Sequence, residues 1–535
     1  MDLIKLRLVV SVGTAVLIVA CGQGKPKTQS PSGDASKTSS DASKTETVFA
    51  PTLPNAGTSS ETLVRQSLAR IDAIDRDGPT LQSVLSVNPD AMEIAKALDA
   101  ERTEGNLRGP MHGIPVLLKD NIETKDNLPT TAGSWALIDN KNGRDAPLAA
   151  KLRANGAVIL GKTNLSQWAN FRSEDSVSGW SAVRGQVRNP HSLNRSPCGS
   201  SSGSGAAVAA GIVAAAIGTE TNGSIICPSA MNGIVGFKPT VGVIPQDLIV
   251  PISSSQDTAG PMTLTVKGTA MMMDAMTEND GSYVAALDTI DPAATRIGVL
   301  NFAKGGNSGV QANFETALED LKKKGFTLVE IDEWEPSEGF GKASYDVLKY
   351  EFKATLNEYL ATTTEAVKTR TLAELIEFNK NDPRELAVFD QSIFEASEAL
   401  GDLTSEDYVQ GSAMVHKATR DNGIDKMMTD NNVDFLMAPS TAPTFLVDHM
   451  YGDTYPGGTG AGWIAAIAGY PHITVPMGAY KGLPTGVSFM STAGTDKNVV
   501  AMGYAYEQAS GGLRIEPSFR PSLEQVTIGK MLSSH

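Results

Sequence analysis

The chain has 535 residues, of which 41% are hydrophobic and 20% charged, and a formal charge of -15. This composition is globular rather than disordered or fibrous, and the length admits one large α/β domain. The acidic balance argues against nucleic-acid binding, which needs phosphate-neutralising cations. Three cysteines and six scattered histidines give no metal-ligand spacing, so neither a metal nor any other cofactor is expected.

At the N-terminus, Lys5 and Arg7 precede an apolar run from Leu8 to Ala20 that is too short for the roughly 18 to 20 residues of a membrane span. The run ends in Ile18-Val19-Ala20-Cys21, which resembles a bacterial lipobox. Residues 1–20 thus read as a lipoprotein signal peptide, with Cys21 as the lipid-bearing first residue of the mature chain. A plain secretory signal or an uncleaved anchor is the alternative. Residues 21–54 are rich in Ser, Thr, Lys and Asp with almost no large apolar side chain, so burial cannot offset their ordering entropy. They read as a disordered tether, and the expected location is the bacterial cell envelope, lipid-anchored on the periplasmic or outer face.

In chain order, the body opens with helical periodicity from Ser60 to Arg76. Gly113 to Leu118 reads as a strand ending in the polar triplet Lys119-Asp120-Asn121. A helix end at Ala149–Ala154 precedes a buried strand, Ala157 to Leu160, that runs into Gly161-Lys162-Thr163-Asn164. Arg296–Leu300, Gln311–Lys324 and Thr327–Ile331 make a strand, helix, strand unit. The stretch from Ser344 to Ile424 is mostly helical in pattern and is expected to cap the site. Asp434–Ala438, His472–Val475 and Gly486–Met490 follow as strands, and Val499–Gln508 as a closing helix. With no repeat and no second linker, residues 55–535 read as one domain: a mixed central β-sheet surrounded by helices.

Two passages carry chemistry. Cys198-Gly199-Ser200-Ser201-Ser202-Gly203-Ser204-Gly205 runs straight into the alanine-rich Ala206 to Ala216, read as a tightly packed helix, so it is no flexible linker. Its glycines also mimic a dinucleotide loop, with Tyr345 and Lys349 completing a dehydrogenase-like pair, but Arg188 to Pro197 is polar and proline-bearing where that fold needs an apolar strand. The second passage, Gly218-Thr219-Glu220-Thr221-Asn222-Gly223-Ser224, is turn-rich and ends in a serine. Its backbone N–H groups are free to face a developing oxyanion, and Ser224 is a candidate nucleophile. No histidine is near in sequence, so the alternative base is a lysine kept neutral by burial, for which Lys119 is the best placed.

These passages, with Gly113-Ile114-Pro115-Val116-Leu117-Leu118-Lys119-Asp120, resemble the amidase signature family in order and spacing. Gly161-Lys162-Thr163-Asn164, Gly236-Phe237-Lys238-Pro239-Thr240, Asp257-Thr258-Ala259-Gly260-Pro261 and Gly469-Tyr470-Pro471 agree with it. The resemblance implies a serine amidohydrolase with a Ser-Ser-Lys triad: Lys119 as base, Ser200 as bridging serine after a cis peptide, Ser224 as nucleophile. It also implies an oxyanion hole from the amides of Thr221, Asn222, Gly223 and Ser224. Asn194 to Gly199, Cys227-Pro228 and Tyr350-Glu351-Phe352-Lys353 are similar to bacterial peptide amidases, which release ammonia from C-terminal peptide amides.

The sequence departs from the common family pattern at Cys198, Asn222 and Ile226, where glycine, glycine and arginine are frequent. Loss of an arginine there removes a carboxylate clamp and favours neutral or extended amides. Small aliphatic, aryl or amino-acid amides are the alternative substrates. A cytoplasmic tRNA-dependent amidotransferase component conflicts with the export signal, and a non-catalytic solute-binding lipoprotein would have lost one of the three triad residues. Cys198 and Cys227 could pair or stay as two buried thiols, and the oligomeric state is open.

Overall fold

The computed structural model describes residues 57–278 and 280–524. The signal peptide, Cys21 and the tether lie outside the described residues. The strands are β1 (Val84–Val87), β2 (Pro115–Lys119), β3 (Val158–Thr163), the two-residue β4 (Trp180–Ser181) and β5 (Gly185–Gln186), β6 (Ala215–Glu220), β7 (Val235–Lys238) and β8 (Thr258–Thr263). Then come β9 (Arg296–Leu300), β10 (Thr327–Ile331), β11 (Phe435–Pro439), β12 (His472–Tyr480) and β13 (Leu483–Met490).

Eleven of these form a single sheet in the order β1-β3-β2-β6-β8-β7-β12-β13-β11-β9-β10. β2 lies parallel to β3 and β6, and β9 parallel to β10 and β11, while the strands between them are antiparallel. The sheet is mixed, as expected.

The apolar runs that mark β2, β3 and β6 follow from burial on both faces. Val116, Leu118, Ile159 and Ile217 enter one hydrophobic cluster, and Leu117, Val158, Leu160 and Ala216 enter the other. On the first face pack the helices Val266–Met276, Ser308–Lys324 and Asp496–Ser510; on the second pack Ser60–Arg70, Ala91–Thr103 and Ser202–Ala209. Helix ends follow local chemistry. Asn307 Oδ1 accepts from the Gly309 and Val310 N–H groups at 3.0 and 3.1 Å, and Lys322, Lys323 and Lys324 occupy the last turn of that helix.

Two expectations need correction. The alanine run is only half helical: the helix ends at Ala209 and the chain turns, with the Ile212 N–H on the Ala207 carbonyl, before β6 takes up Ala215. Alanine packs equally well in a tight helix and in a central strand, so composition alone does not divide the run. In the helical segment, helices Phe340–Ala361, Leu372–Asn381 and Ser392–Glu398 form a core with Trp168, Phe171, Val250 and Ile252, and helix Glu406–Thr419 packs through Val415 and Ala418 on Phe340 and Val347. The segment flanks the site instead of capping it, and none of its residues lines the cavity described below.

Among the described residues no helix is long and apolar enough to cross a membrane, and no cluster of His, Cys, Asp and Glu could hold a metal ion.

Candidate active site

The site forms where the parallel strands β2 and β6 end, the usual place for chemistry in an α/β sheet. Lys119 is the last residue of β2 and is fully buried. Its amine donates to Ser200 Oγ at 2.7 Å, to Thr219 Oγ1 at 2.8 Å and to the Thr219 carbonyl at 3.3 Å. Burial pulls its pKa from 10.5 down to about 7, against the opposing fields of Asp257 and Glu220.

Ser200 is fully buried and follows a cis peptide bond from Gly199. The loop that carries it is held by its neighbours. Ser201 donates its N–H to the Ser224 carbonyl at 3.2 Å and its hydroxyl to the Thr219 carbonyl at 3.1 Å, and the Ser202 hydroxyl reaches the Cys198 carbonyl at 2.6 Å. Gly203 is required by close approach: a Cβ there would lie 2.3 Å from the carbonyl oxygens of both Asn164 and Ser83. Cys198 and Cys227 are disulfide-bonded, which ties the segment before Ser200 to the helix after Ser224.

Ser224 closes the turn that leaves β6 and is 8% exposed. Gly223 adopts a left-handed φ of 81°, which a side chain would disfavour. Among the described residues the N–H groups of Asn222, Gly223 and Ser224 donate to no protein acceptor, whereas those of Ile225 and Ile226 are taken by Glu220 Oε2 at 2.7 and 2.9 Å. The turn therefore presents free donors beside a serine hydroxyl, the arrangement an oxyanion demands.

Two partners go unnoticed in the sequence. Thr219 supplies two of the three contacts to Lys119 and also accepts from Asn121 Nδ2 at 3.0 Å. Asp257 accepts the Thr221 hydroxyl at 2.5 Å and the N–H groups of Ile252 and Ser253 at 2.7 and 3.0 Å. Burial raises its pKa to about 6. Glu351, from the helical segment, extends this support by accepting the Ser255 N–H at 3.1 Å and the Tyr408 hydroxyl at 2.9 Å. The motifs containing these residues are visible in the sequence, but their roles are not.

A cavity of about 510 Å3 opens onto the turn, lined on that side by Gly199, Glu220, Asn222, Gly223 and Ile226. The chain matches the amidase family model over residues 62–500. It belongs to the amidase family. An amidase-named protein of Arabidopsis thaliana is 35% identical over 82% of this chain and 85% of its own. A putative amidase of Schizosaccharomyces pombe is 34% identical over 80% of this chain and 79% of its own. Among solved structures, the native peptide amidase from Stenotrophomonas maltophilia superposes with a TM-score of 0.80 at 42% identity, covering 87% of this chain and 96% of that one. This amidase is accordingly an enzyme that hydrolyses amide C–N bonds, built on the fold of its relatives.

Proposed function

We propose that this amidase releases ammonia from C-terminal peptide amides through an acyl-enzyme formed on Ser224, with Ser200 and Lys119 as its proton relay. The observation that carries the relay is the 2.7 Å contact of a fully buried Lys119 amine with Ser200 Oγ, at a pKa of about 7. A neutral amine has two N–H donors and one lone pair. With its two N–H groups on the Thr219 carbonyl and the Thr219 hydroxyl, the amine has its lone pair left for the Ser200 hydroxyl.

Ser200 in turn takes the proton of Ser224 as Ser224 Oγ adds to the substrate carbonyl. The free N–H groups of Asn222, Gly223 and Ser224 receive the oxyanion. Collapse breaks the C–N bond, and the relayed proton leaves on ammonia. Water then gives a proton to the same relay and its oxygen to the acyl carbon, freeing Ser224 and a carboxylic acid.

Peptide amides are favoured over small acidic amides by the neutral Ile226 in the cavity wall, by the volume of the cavity and by 42% identity to a peptide amidase. Ammonia release from an amidated dipeptide, a free amino-acid amide and an aliphatic amide, with Ser224→Ala as control, tests the reading. Hydrolysis of the dipeptide amide above the others is expected. Turnover of the aliphatic amide alone would remove the peptide assignment, and equal turnover by Ser224→Ala would remove the nucleophile.

We further propose that Cys21 carries lipid, residues 21–54 act as a tether and residues 55–535 form the catalytic domain in the cell envelope. The Ile18-Val19-Ala20-Cys21 motif supports this. Labelled fatty acid should enter the wild-type chain and not Cys21→Ser; equal labelling would end the proposal.

A further inference from the structure

The cavity wall combines two kinds of lining: the 222–223 turn and Ile226, which flank Ser224 in the chain, and the aromatic side chains of Phe302, Trp334, Phe445, Tyr455 and Trp463. Trp334 lies between Phe302 and Trp463, with ring centroids 6.3 and 5.5 Å apart, and Phe445 meets Tyr455 edge-on at 6.0 Å. Among the described residues no lysine or arginine lines the cavity. Two carboxylates do, Glu220 and Asp453, together with His472, which burial and the Lys238 amine keep neutral.

The two carboxylates differ. Glu220 is almost wholly buried and lies in the field of the Lys238 amine, so its charge is partly offset. Its Oε2 caps the helix after Ser224, while Oε1 has no partner and is left as an acceptor at the floor. Asp453 sits on the loop before Gly460, half-buried, with the Ser178 N–H on its Oδ1 at 3.1 Å. Among the described residues no cationic side chain pairs with Asp453, and burial pushes its pKa up. A carboxylate at the wall of a half-enclosed cavity, without a counter-ion and beside aromatic faces, is an environment that gains by receiving a cation.

We propose that Asp453 makes this amidase selective for cationic peptide amides, those with a positive charge upstream of the amidated residue, either the free α-ammonium or a basic side chain. The inference rests on the peptide-amide reading and deepens it. The ammonium or guanidinium lies against Asp453 and the aromatic wall while the amide reaches Ser224. A substrate carboxylate in that place would face an unpaired like charge and be rejected.

The test is kcat/KM for ammonia release from dipeptide amides of matched size: free or N-acetylated, with lysine, norleucine or glutamate before the amidated residue. Acetylation reads the α-ammonium and the side-chain series reads the basic group. In the wild type, at least one cationic form should exceed its neutral isostere by roughly tenfold through KM, and the glutamate peptide should be worst. Asp453→Asn should bring the cationic-to-neutral ratio close to unity, and Asp453→Lys should invert it. Rising salt should erode the wild-type preference, a readout that needs no variant.

Equal kcat/KM for cationic and neutral peptides overturns the selectivity and leaves the peptide-amide reading standing. A preference that survives in Asp453→Asn overturns the assignment to this residue. No ammonia from any amidated peptide, with turnover of simple amides, overturns the peptide-amide reading itself.

Discussion

Replacing Lys119 with methionine would separate what the buried amine does for catalysis from what it costs the fold. Burial moves its pKa from 10.5 to about 7. The folded value lies below the unfolded one, so between them the unfolded chain holds a proton that the folded chain has released. The cost is therefore complete below about pH 7, shrinks as pH rises and is gone above 10.5. At about 1.36 kcal/mol per pKa unit, it is roughly 4 kcal/mol at neutral pH and about 2 kcal/mol two units higher. Methionine fills similar space without charge, but it strands the Ser200 and Thr219 hydroxyls, which takes back about 1–2 kcal/mol. Lys119→Met should thus be more stable than wild type by about 2–3 kcal/mol at neutral pH and nearly equal to it two units higher. Amide hydrolysis should fall by roughly a thousandfold or more. Urea unfolding at the two pH values, beside ammonia release, measures both. A variant less stable than wild type at neutral pH, or an advantage that does not shrink with pH, refutes the desolvated amine; retained activity refutes the base.

The same amine sets the wild-type pH profile: kcat/KM should rise with pH through an apparent pKa of about 7, because only neutral Lys119 can accept the proton. Asp257→Asn removes a negative charge that holds the Lys119 proton, so this limb should move to lower pH in a pH–rate measurement, and a limb that moves up would contradict the assigned field. The amide oxygen can keep the Ile252 and Ser253 N–H groups, both of which lie on Oδ2, and the amide nitrogen can donate to the Thr221 hydroxyl, so the plateau kcat should change little. Away from the chemistry, Glu385→Ala takes from the fully buried Arg172 its ion-pair partner at 3.5 Å and leaves only the weaker field of Asp390. The expected cost is roughly 3–5 kcal/mol in denaturant unfolding, and a loss within error of zero would show that the backbone carbonyls around Arg172 suffice.

Much of the fold is legible because burial writes itself into short segments. Val116-Leu117-Leu118 and Val158-Ile159-Leu160 are apolar at every position, which only a strand covered on both faces tolerates, and the first ends in Lys119 at the site. The apolar pattern ends β3 too early because Lys162 and Thr163 look like loop. Lys162 is in fact a strand residue whose buried amine donates to the Ile122 carbonyl and to Thr130 Oγ1. Periodicity cannot report a polar side chain that is satisfied by a distant backbone. The glycines in Gly199–Gly205 stand out by composition, yet the reason for Gly203 lies in Asn164 and Ser83, which the sequence does not connect to it.

Asp257 shows why motif recognition and site assignment diverge. Its motif is visible, 36 residues beyond Thr221, with nothing to tie the two together. The tie is the register of β6 against β8, in which Glu220 pairs with Thr258 in antiparallel sense. One step beyond the end of β6 must then lie opposite one step before the start of β8, so Thr221 and Asp257 meet wherever that register holds. Strand order and register are non-local quantities that no spacing rule supplies. If this account is right, the Thr221–Asp257 contact is a consequence of pairing rather than of the loop, and shortening the 240–250 connection should leave the acid limb of the pH profile in place. Movement of that limb without any change at Asp257 would mean that the connection itself holds the carboxylate near Lys119.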